Sequence, residues 1–354
     1  MGTDFEYSSA ARFLLVAAAF VVVVAGMQAA ASLIAPFLLS VFLAVIAAPP
    51  MRALCRRGLP DWAALLVVVL GLVAAGMVVA VLVAGSLDGF KASLPDYQAR
   101  LSGLTSQLAA WLNRLGIHVP EQALLTYLDP GKTLVMAGDL ISSLSGVLAN
   151  ALLILLTVIF ILFEASSLPA KLRLALRSPE ESTARLEHML DSVNRYMGIK
   201  TLTSLATGLT VWVWLEVLGV DFAVLWGLTA FLLNYVPTIG SILAAIPAVL
   251  LALVQLGPNS ALLTAAGFLV VNTVVGNVVE PKVMGRGLGL STLVVFISLV
   301  FWGWVLGAVG MFLSVPLTMA LKIALDANPE TRQIAILLGP DVRQRRPRGT
   351  GSAG

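Results

Sequence analysis

Residues 222–256 read FAVLWGLTAFLLNYVPTIGSILAAIPAVLLALVQL, and this stretch decides the fold class. Two apolar runs, 222–236 and 238–256, meet in a polar interruption that contains Pro237 and Gly240. Proline removes a backbone donor and clashes with the preceding turn, and glycine lowers helix propensity. A bilayer-spanning helix needs about 20 apolar residues. The stretch therefore predicts membrane helices that are interrupted within the bilayer.

The composition of the whole chain supports the same class. Of its 354 residues, 59% are hydrophobic and only 12% are charged, whereas soluble domains carry about 25% charged residues. So few charges cannot cover a water-exposed surface, so the sequence predicts an all-α, polytopic integral membrane protein. The other candidate membrane runs are 12–30, 33–48, 62–86, 142–163, 201–218, 260–279 and 290–323.

The last run, 290–323, is long enough to form a hairpin with a break near Gly307 to Gly310. Whether it crosses once, crosses twice or re-enters is left open, and the C-terminal half is expected to contain discontinuous or re-entrant helices. Gly303 and Gly307 form a GxxxG pattern, which favours close helix packing.

Positive charges in short loops predict the orientation, because Lys and Arg are enriched on the cytoplasmic side. The N-terminus, the loop after the second helix, segment 164–200 and the C-terminal tail are expected inside. Their basic residues are Arg12, Arg52, Arg56, Arg57, Lys171, Arg173, Arg177, Arg185, Arg195, Lys200, Arg343, Arg345, Arg346 and Arg348. The predicted segments are 1–86 (N-terminal membrane helices), 87–141 (extracytoplasmic), 142–163 (membrane helix), 164–200 (cytoplasmic), 201–325 (transport core) and 326–354 (basic tail).

Two polar segments are predicted to form helices outside the hydrocarbon. In 95–116, leucines and a tryptophan recur at three- and four-residue steps, which is typical of an amphipathic helix. In 178–200, Ser178 and Pro179 resemble an N-cap followed by proline at the first helical position. This second helix is expected to continue into the fifth membrane helix.

Motifs of covalent chemistry are absent from the sequence. The triplet Gly131-Lys132-Thr133 lacks the glycine that a phosphate-binding loop needs at position 126, where Thr126 stands. A single cysteine, Cys55, and two distant histidines argue against a zinc site. The sequence predicts no enzyme, no cofactor, no metal site and no nucleic-acid partner.

Hydroxyl groups are concentrated on the helix over 201–218, at Thr201, Thr203, Ser204, Thr207 and Thr210. Such groups can bond to backbone carbonyls and across helices, or they can line a polar path. Both interpretations stay open at this stage. The interruption around Pro237 has the same two interpretations, because freed carbonyls in a membrane must be covered by protein or face a cavity.

Ionisable residues inside a membrane are expensive and are functional hypotheses by default. Between residues 201 and 321 they are Glu216, Asp221, Glu280, Lys282 and Arg286. Asp221 is expected to cap the next helix. Glu216 either reaches the interface or binds an ion, and Glu280 either pairs with Lys282 or Arg286 or lies on the path. Asn272 and Asn277 precede Glu280 on its helix.

The string GNVVEPKVMGRGLGLSTLVVFISLVFWGWVLGAVGMFLSVPL, residues 276–317, together with NYVPTIGS at 234–241, resembles the autoinducer-2 exporter family, which includes PerM-type permeases. The resemblance implies a bacterial inner-membrane protein of about seven or eight helices. It also implies export of autoinducer-2 or cation/proton antiport. The positions that it carries over are Asn234, Pro237, Thr238, Gly240, Glu280, Pro281, Lys282, Gly285, Gly289 and Leu290.

The functional hypothesis is a secondary transporter that exports a small polar metabolite or signal, such as autoinducer-2, driven by an H⁺ or Na⁺ gradient. The alternatives are a Na⁺/H⁺ antiporter and a non-transporting membrane scaffold. The partners expected are the lipid bilayer and a small solute or ion, with a homo-oligomer left open. The candidate path residues are Thr203, Thr207, Glu216, Asn234, Pro237, Thr238, Gly240, Asn272, Asn277, Glu280, Pro281 and Lys282.

Overall fold

The computed structural model describes residues 9–115, 150–165, 171, 179–237, 239–284, 289–327 and 330–340. Every regular element in these ranges is a helix, which confirms the all-α prediction. Six helical stretches are long and apolar enough to span a membrane, and three shorter apolar helices accompany them. The long stretches are Ala31–Arg56, Asp61–Ser86, Leu190–Leu218, Ile239–Leu256, Pro258–Val283 and Thr292–Asp326.

The N-terminal part consists of α1 (Ser9–Ala29), α2 (Ala31–Arg56) and α3 (Asp61–Arg114). The helix that the sequence predicts over 95–116 is present as the C-terminal part of α3, which ends at Arg114. The structure continues one helix of 54 residues from the membrane span to Arg114, about 81 Å at 1.5 Å per residue. Pro95 lies inside it without ending it.

The central part consists of α4 (Ala151–Ala165) and α5 (Pro179–Leu218). The structure confirms the prediction that a helix begins at Pro179 and runs without interruption into a membrane span. With 40 residues, α5 is about 60 Å long. Ser178, the predicted N-cap, and residues 142–149 of the predicted 142–163 helix lie outside the described residues.

The predicted helix break lies between α6 (Ala223–Leu233) and α7 (Ile239–Leu256). The 11 residues of α6 extend about 16 Å, half of the hydrocarbon thickness. A Cβ on Gly240 would lie 1.8 Å from the carbonyl oxygen of Leu233, so the chain can fold back this tightly only at glycine. The break therefore joins a half-length helix to a full-length one.

The next helix begins as α8 (Pro258–Val271), continues as a π-helical segment (Asn272–Val279) and ends as α9 (Glu280–Met284). Glu280 therefore lies at the start of a helical turn and not in a loop. A π-helix is rare and is often found at functional sites. Gly285 and Arg286 lie outside the described residues.

The C-terminal helix α10 (Thr292–Ala327) is a hairpin, because Gly307 is non-helical with φ 67°. The Trp302 indole donates to the Thr318 hydroxyl at 3.0 Å across the two arms. Among the alternatives that the sequence leaves open, the structure thus excludes one continuous helix. Gly307 forms the turn, so the expectation that it packs in a GxxxG interface is wrong. The short helix α11 (Arg332–Leu337) follows.

Candidate functional site

The buried face of α5 changes from polar to apolar along its length. Lys200, Ser204 and Thr207 lie on this face and are buried, and the face continues with buried Val211 and Leu215. Steps of three and four residues place all five on one side of an α-helix. Val211 and Leu215 belong to a large apolar cluster. This face of α5 is therefore polar near Lys200 and apolar towards Leu215.

An ion pair stands at the polar end of this face. The Lys200 ammonium donates to both carboxylate oxygens of Glu280, each at 2.9 Å. The side chains are only 6% and 16% exposed. Lys200 is the one buried charged residue in the described part of the chain. The pair joins α5 to α9 across 80 residues of sequence.

This pairing corrects the expectation that Glu280 pairs with Lys282, while the other expected partner, Arg286, lies outside the described residues. Lys282 is exposed, and so is Pro281. Residues on one helix at i and i+2 point in different directions, which is why Lys282 does not reach Glu280. The partner is Lys200, a residue that the sequence marks only as one of the basic residues at the membrane edge.

The helix break lies against the polar half of α5. The Asn234 amide donates to the Ser204 hydroxyl at 3.0 Å in a buried position, and the Tyr235 hydroxyl donates to Thr201 at 2.8 Å. Pro237 is half-buried, whereas Thr238 lies outside the described residues. These bonds fix the break beside the hydroxyls of α5.

A second polar contact joins α7 to the π segment. The Ser241 hydroxyl donates to the Asn272 side-chain oxygen at 2.8 Å, one residue beyond Gly240. Asn277, in contrast, is exposed on the π segment. The structure thus brings Asn234, Gly240 and Asn272 to neighbouring positions around the break and leaves Asn277 on the outside.

Three of the five hydroxyls over 201–210 of α5 donate hydrogen bonds within their own helix. Thr201, Thr203 and Thr210 donate to backbone carbonyls three or four residues earlier. Thr207 differs: it is 6% exposed, and its hydroxyl has no hydrogen-bond partner among the described residues. A buried hydroxyl without a partner costs free energy. Thr207 is therefore the α5 hydroxyl best suited to bind a solute or water.

The two remaining acidic residues lie at the opposite end of α5. Glu216 is exposed and is about 24 Å along the helix from Lys200. Asp221 does not cap α6, because Phe222 occupies the N-cap position without a side-chain bond. Asp221 instead accepts a hydrogen bond from the Tyr97 hydroxyl at 2.7 Å, a contact that local capping rules cannot foresee.

Together, the groups at the Lys200 end form the candidate site, which we call the polar cluster. It consists of Lys200, Ser204, Thr207, Asn234, Ser241, Asn272 and Glu280. Hydroxyl, amide, ammonium and carboxylate groups inside an apolar bundle can bind a small polar solute or an ion. Sequence reasoning missed Lys200, although a lysine directly before a hydroxyl-rich membrane helix is a signal that could have identified it.

Comparisons with known proteins identify a transporter family and relatives named for transport. The profile of a family described as AI-2E family transporter matches residues 14–330. The AI-2 transport protein TqsA of Escherichia coli K12 is 41% identical over 327 residues, which are 92% of this chain and 95% of TqsA. YhhT of the same strain, provisionally named a transport protein, is 42% identical over 93% of this chain and 94% of its own. A Haemophilus influenzae protein, also provisionally named for transport, is 43% identical over 93% of this chain and 96% of its own length.

Proposed function

This chain belongs to the AI-2E transporter family, and from that premise we propose that it exports a small polar metabolite or signal, such as autoinducer-2, by secondary transport. The chain is a multi-span membrane protein with bacterial relatives named for transport, which fits a bacterial inner membrane. The proposed path passes through the polar cluster. The proposed driving force is a gradient of H⁺ or Na⁺.

The observation that carries this proposal is the burial of polar groups beside a helix break. Asn234 and Gly240 border the break, Ser204 of α5 contacts Asn234, and Thr207 is buried one turn further along the same face of α5. Broken helices surrounded by polar side chains are where many secondary transporters bind their solutes. A non-transporting scaffold would have no use for this cluster, and the names of the relatives favour transport over a scaffold.

We also propose that the polar cluster lies nearer the cytoplasm. The span Asp61–Ser86 separates the loop of Arg56 and Arg57 from Tyr97, which contacts the far end of α5 at Asp221. The Lys200 end of α5 is then on the same side as the basic loop, and basic loops are cytoplasmic. Cysteine labelling at positions 56 and 102 in a Cys55→Ser background tests this orientation: outside reagents should label position 102 only.

Purified protein in liposomes tests the function itself. We expect autoinducer-2 to move across the membrane faster than in protein-free liposomes, and faster still with an imposed ion gradient. A second assay, with a pH-sensitive dye and Na⁺ pulses but no solute, tests the antiporter alternative, which the buried carboxylate of Glu280 favours. Alkalinisation or acidification by Na⁺ alone, without autoinducer-2 flux, would replace the export proposal with antiport.

A further inference from the structure

We propose that Glu280 is the residue at which a proton and the transported solute compete, with Lys200 as its counter-charge. The inference rests on the proposed function, because it assigns the energy coupling of that same site. With Glu280 ionised, the pair binds hydroxyl groups of the solute. A proton taken from water then neutralises the carboxylate and displaces the solute. The proton returns to water on the other side, so one proton moves in exchange for one solute.

The geometry of the pair suits hydroxylated solutes. Nζ of Lys200 lies 2.9 Å from each carboxylate oxygen of Glu280. A carboxylate has about four lone-pair positions and an ammonium has three N–H groups, so this contact leaves acceptor positions and a donor unused. A hydroxyl group is both donor and acceptor and can use both. Protonation removes the charge that makes these bonds strong.

The position of the pair also favours a role beyond packing. A buried ion pair adds little stability compared with apolar side chains of the same volume. Lys200 lies on α5 three and four residues before Thr203 and Ser204, which are themselves buried. Glu280 contacts Lys200 from α9. Charges kept inside a membrane protein commonly mark ion or solute paths.

The π segment gives Glu280 a means of leaving Lys200. Residues Asn272–Val279 form eight residues of π-helix directly before Glu280, and none of them is buried. Conversion of a π-helical turn to an α-helical turn shifts the following residues by about one position, or about 100° around the axis. The carboxylate of Glu280 would then point away from α5. The Asn272 contact with Ser241 anchors the other end of the segment.

The ionisable groups around Glu280 are few within the described residues. Lys200 and the buried Tyr196 lie near it on α5. Lys282, on its own helix, is exposed. Glu280 is therefore the only carboxylate among these groups, and a change in its ionisation would dominate the local electrostatics.

Proton release on solute binding tests this inference. Full-length protein in detergent, in weakly buffered solution with a pH indicator, is mixed with autoinducer-2. The measurement is made over a series of pH values. Where Glu280 of the free protein is protonated, we expect release of up to one proton for each solute bound and an affinity that falls about tenfold for each further pH unit of acidification, as linkage requires. Glu280→Gln should release no protons. Glu164→Gln, which removes a carboxylate from an exposed pair with Lys171, should behave like the wild type.

Folding is controlled by gel filtration and thermal unfolding of each variant. If Glu280→Gln does not fold, the double variant Lys200→Gln/Glu280→Gln removes both charges and is used in its place. Binding of autoinducer-2 without proton release, or loss of proton release in Glu216→Gln but not in Glu280→Gln, would overturn the inference and leave the proposed function intact. Absence of any autoinducer-2 binding and flux by the wild type would overturn both.

Discussion

The two ends of the buried face of α5, one near Lys200 in the middle of the helix and one near Asp221 just after its last turn, carry polar clusters of opposite character. At the Lys200 end, Lys200, Ser204, Thr207 and Asn234 are buried. This end also includes an ion pair, and the Thr207 hydroxyl has no partner in the described structure. At the Asp221 end, the side chain of Gln255 donates to the Gly219 carbonyl and accepts from the Asp221 amide, and Tyr97 donates to Asp221. The polar groups of Asp221, Gly219 and Gln255 thus have hydrogen-bond partners within the protein, as expected for a structural contact.

Polarity alone therefore does not identify a functional site in a membrane bundle. The contacts of Asp221 hold the extension of α3 against the turn between α5 and α6, where Phe90 makes edge-to-face contacts with Trp226 and Phe222. At the Lys200 end, costly charges are retained in an apolar bundle. We therefore expect variants of the Lys200 end to affect transport and variants of the Asp221 end to affect stability.

Gly240→Ala should have the largest effect. The added Cβ would lie 1.8 Å from the Leu233 carbonyl oxygen, so the break cannot keep its shape and the bundle should lose more than about 4 kcal/mol, an exceptional cost for one residue. Folded yield by gel filtration measures this loss. The control is Gly198→Ala on α5, where a Cβ meets nothing within 4 Å, and a normal yield of Gly240→Ala would show that the break is adjustable.

Lys200→Ala should have the next largest effect. It leaves the Glu280 carboxylate without its partner in a position that is only 16% exposed, and breaking a buried pair costs about 3–5 kcal/mol. Glu280→Gln in the same chain should restore folding. A double-mutant cycle of apparent melting temperatures measures the coupling. If the two substitutions act independently, the pair does not exist in the membrane.

Pro237→Ala should lower transport more than it lowers folded yield. Pro237 lies between Asn234, which contacts α5, and Gly240, which contacts Leu233. Alanine restores a backbone donor and favours a continuous helix, which should rigidify the break without opening a cavity. Flux per folded molecule in liposomes measures the effect. A variant with normal flux would reduce Pro237 to a turn former.

Tyr97→Phe should have the smallest effect, a loss of about 1 kcal/mol of stability with flux unchanged. Burial, and then the hydrogen bond to Asp221, raise the pKa of Tyr97 to about 12. The folded state therefore favours the protonated phenol, so this contribution is complete below the ordinary pKa near 10 and is lost as pH rises towards 12. An ultraviolet titration should lose one tyrosine step near pH 12 in Tyr97→Phe. A step that persists would assign it to another tyrosine.

The sequence was sufficient for features governed by local rules. Pro237 and Gly240 predict the break, Pro179 predicts the start of α5, and glycines near 307 predict a break in the last run. Contacts between distant residues were beyond it. Tyr97 and Asp221 are 124 residues apart and Lys200 and Glu280 are 80 apart, and no periodicity specifies which helices pack together. Local patterns therefore indicate only a membrane orientation for Lys200 and a helix cap for Asp221.

The most direct test of the central claim compares two amide side chains that contact α5 or the turn after it, Asn234 near Lys200 and Gln255 near Asp221. Asn234→Ala removes the bond to Ser204 at the Lys200 end, and Gln255→Ala removes the bonds to Gly219 and Asp221 at the other end. Autoinducer-2 flux per folded molecule is measured in liposomes for both variants. We predict that Asn234→Ala loses at least about tenfold in flux, the equivalent of about 1.4 kcal/mol, while Gln255→Ala retains its flux and melts at a lower temperature. Equal losses in both variants, or a loss confined to Gln255→Ala, would contradict the assignment of transport to the polar cluster.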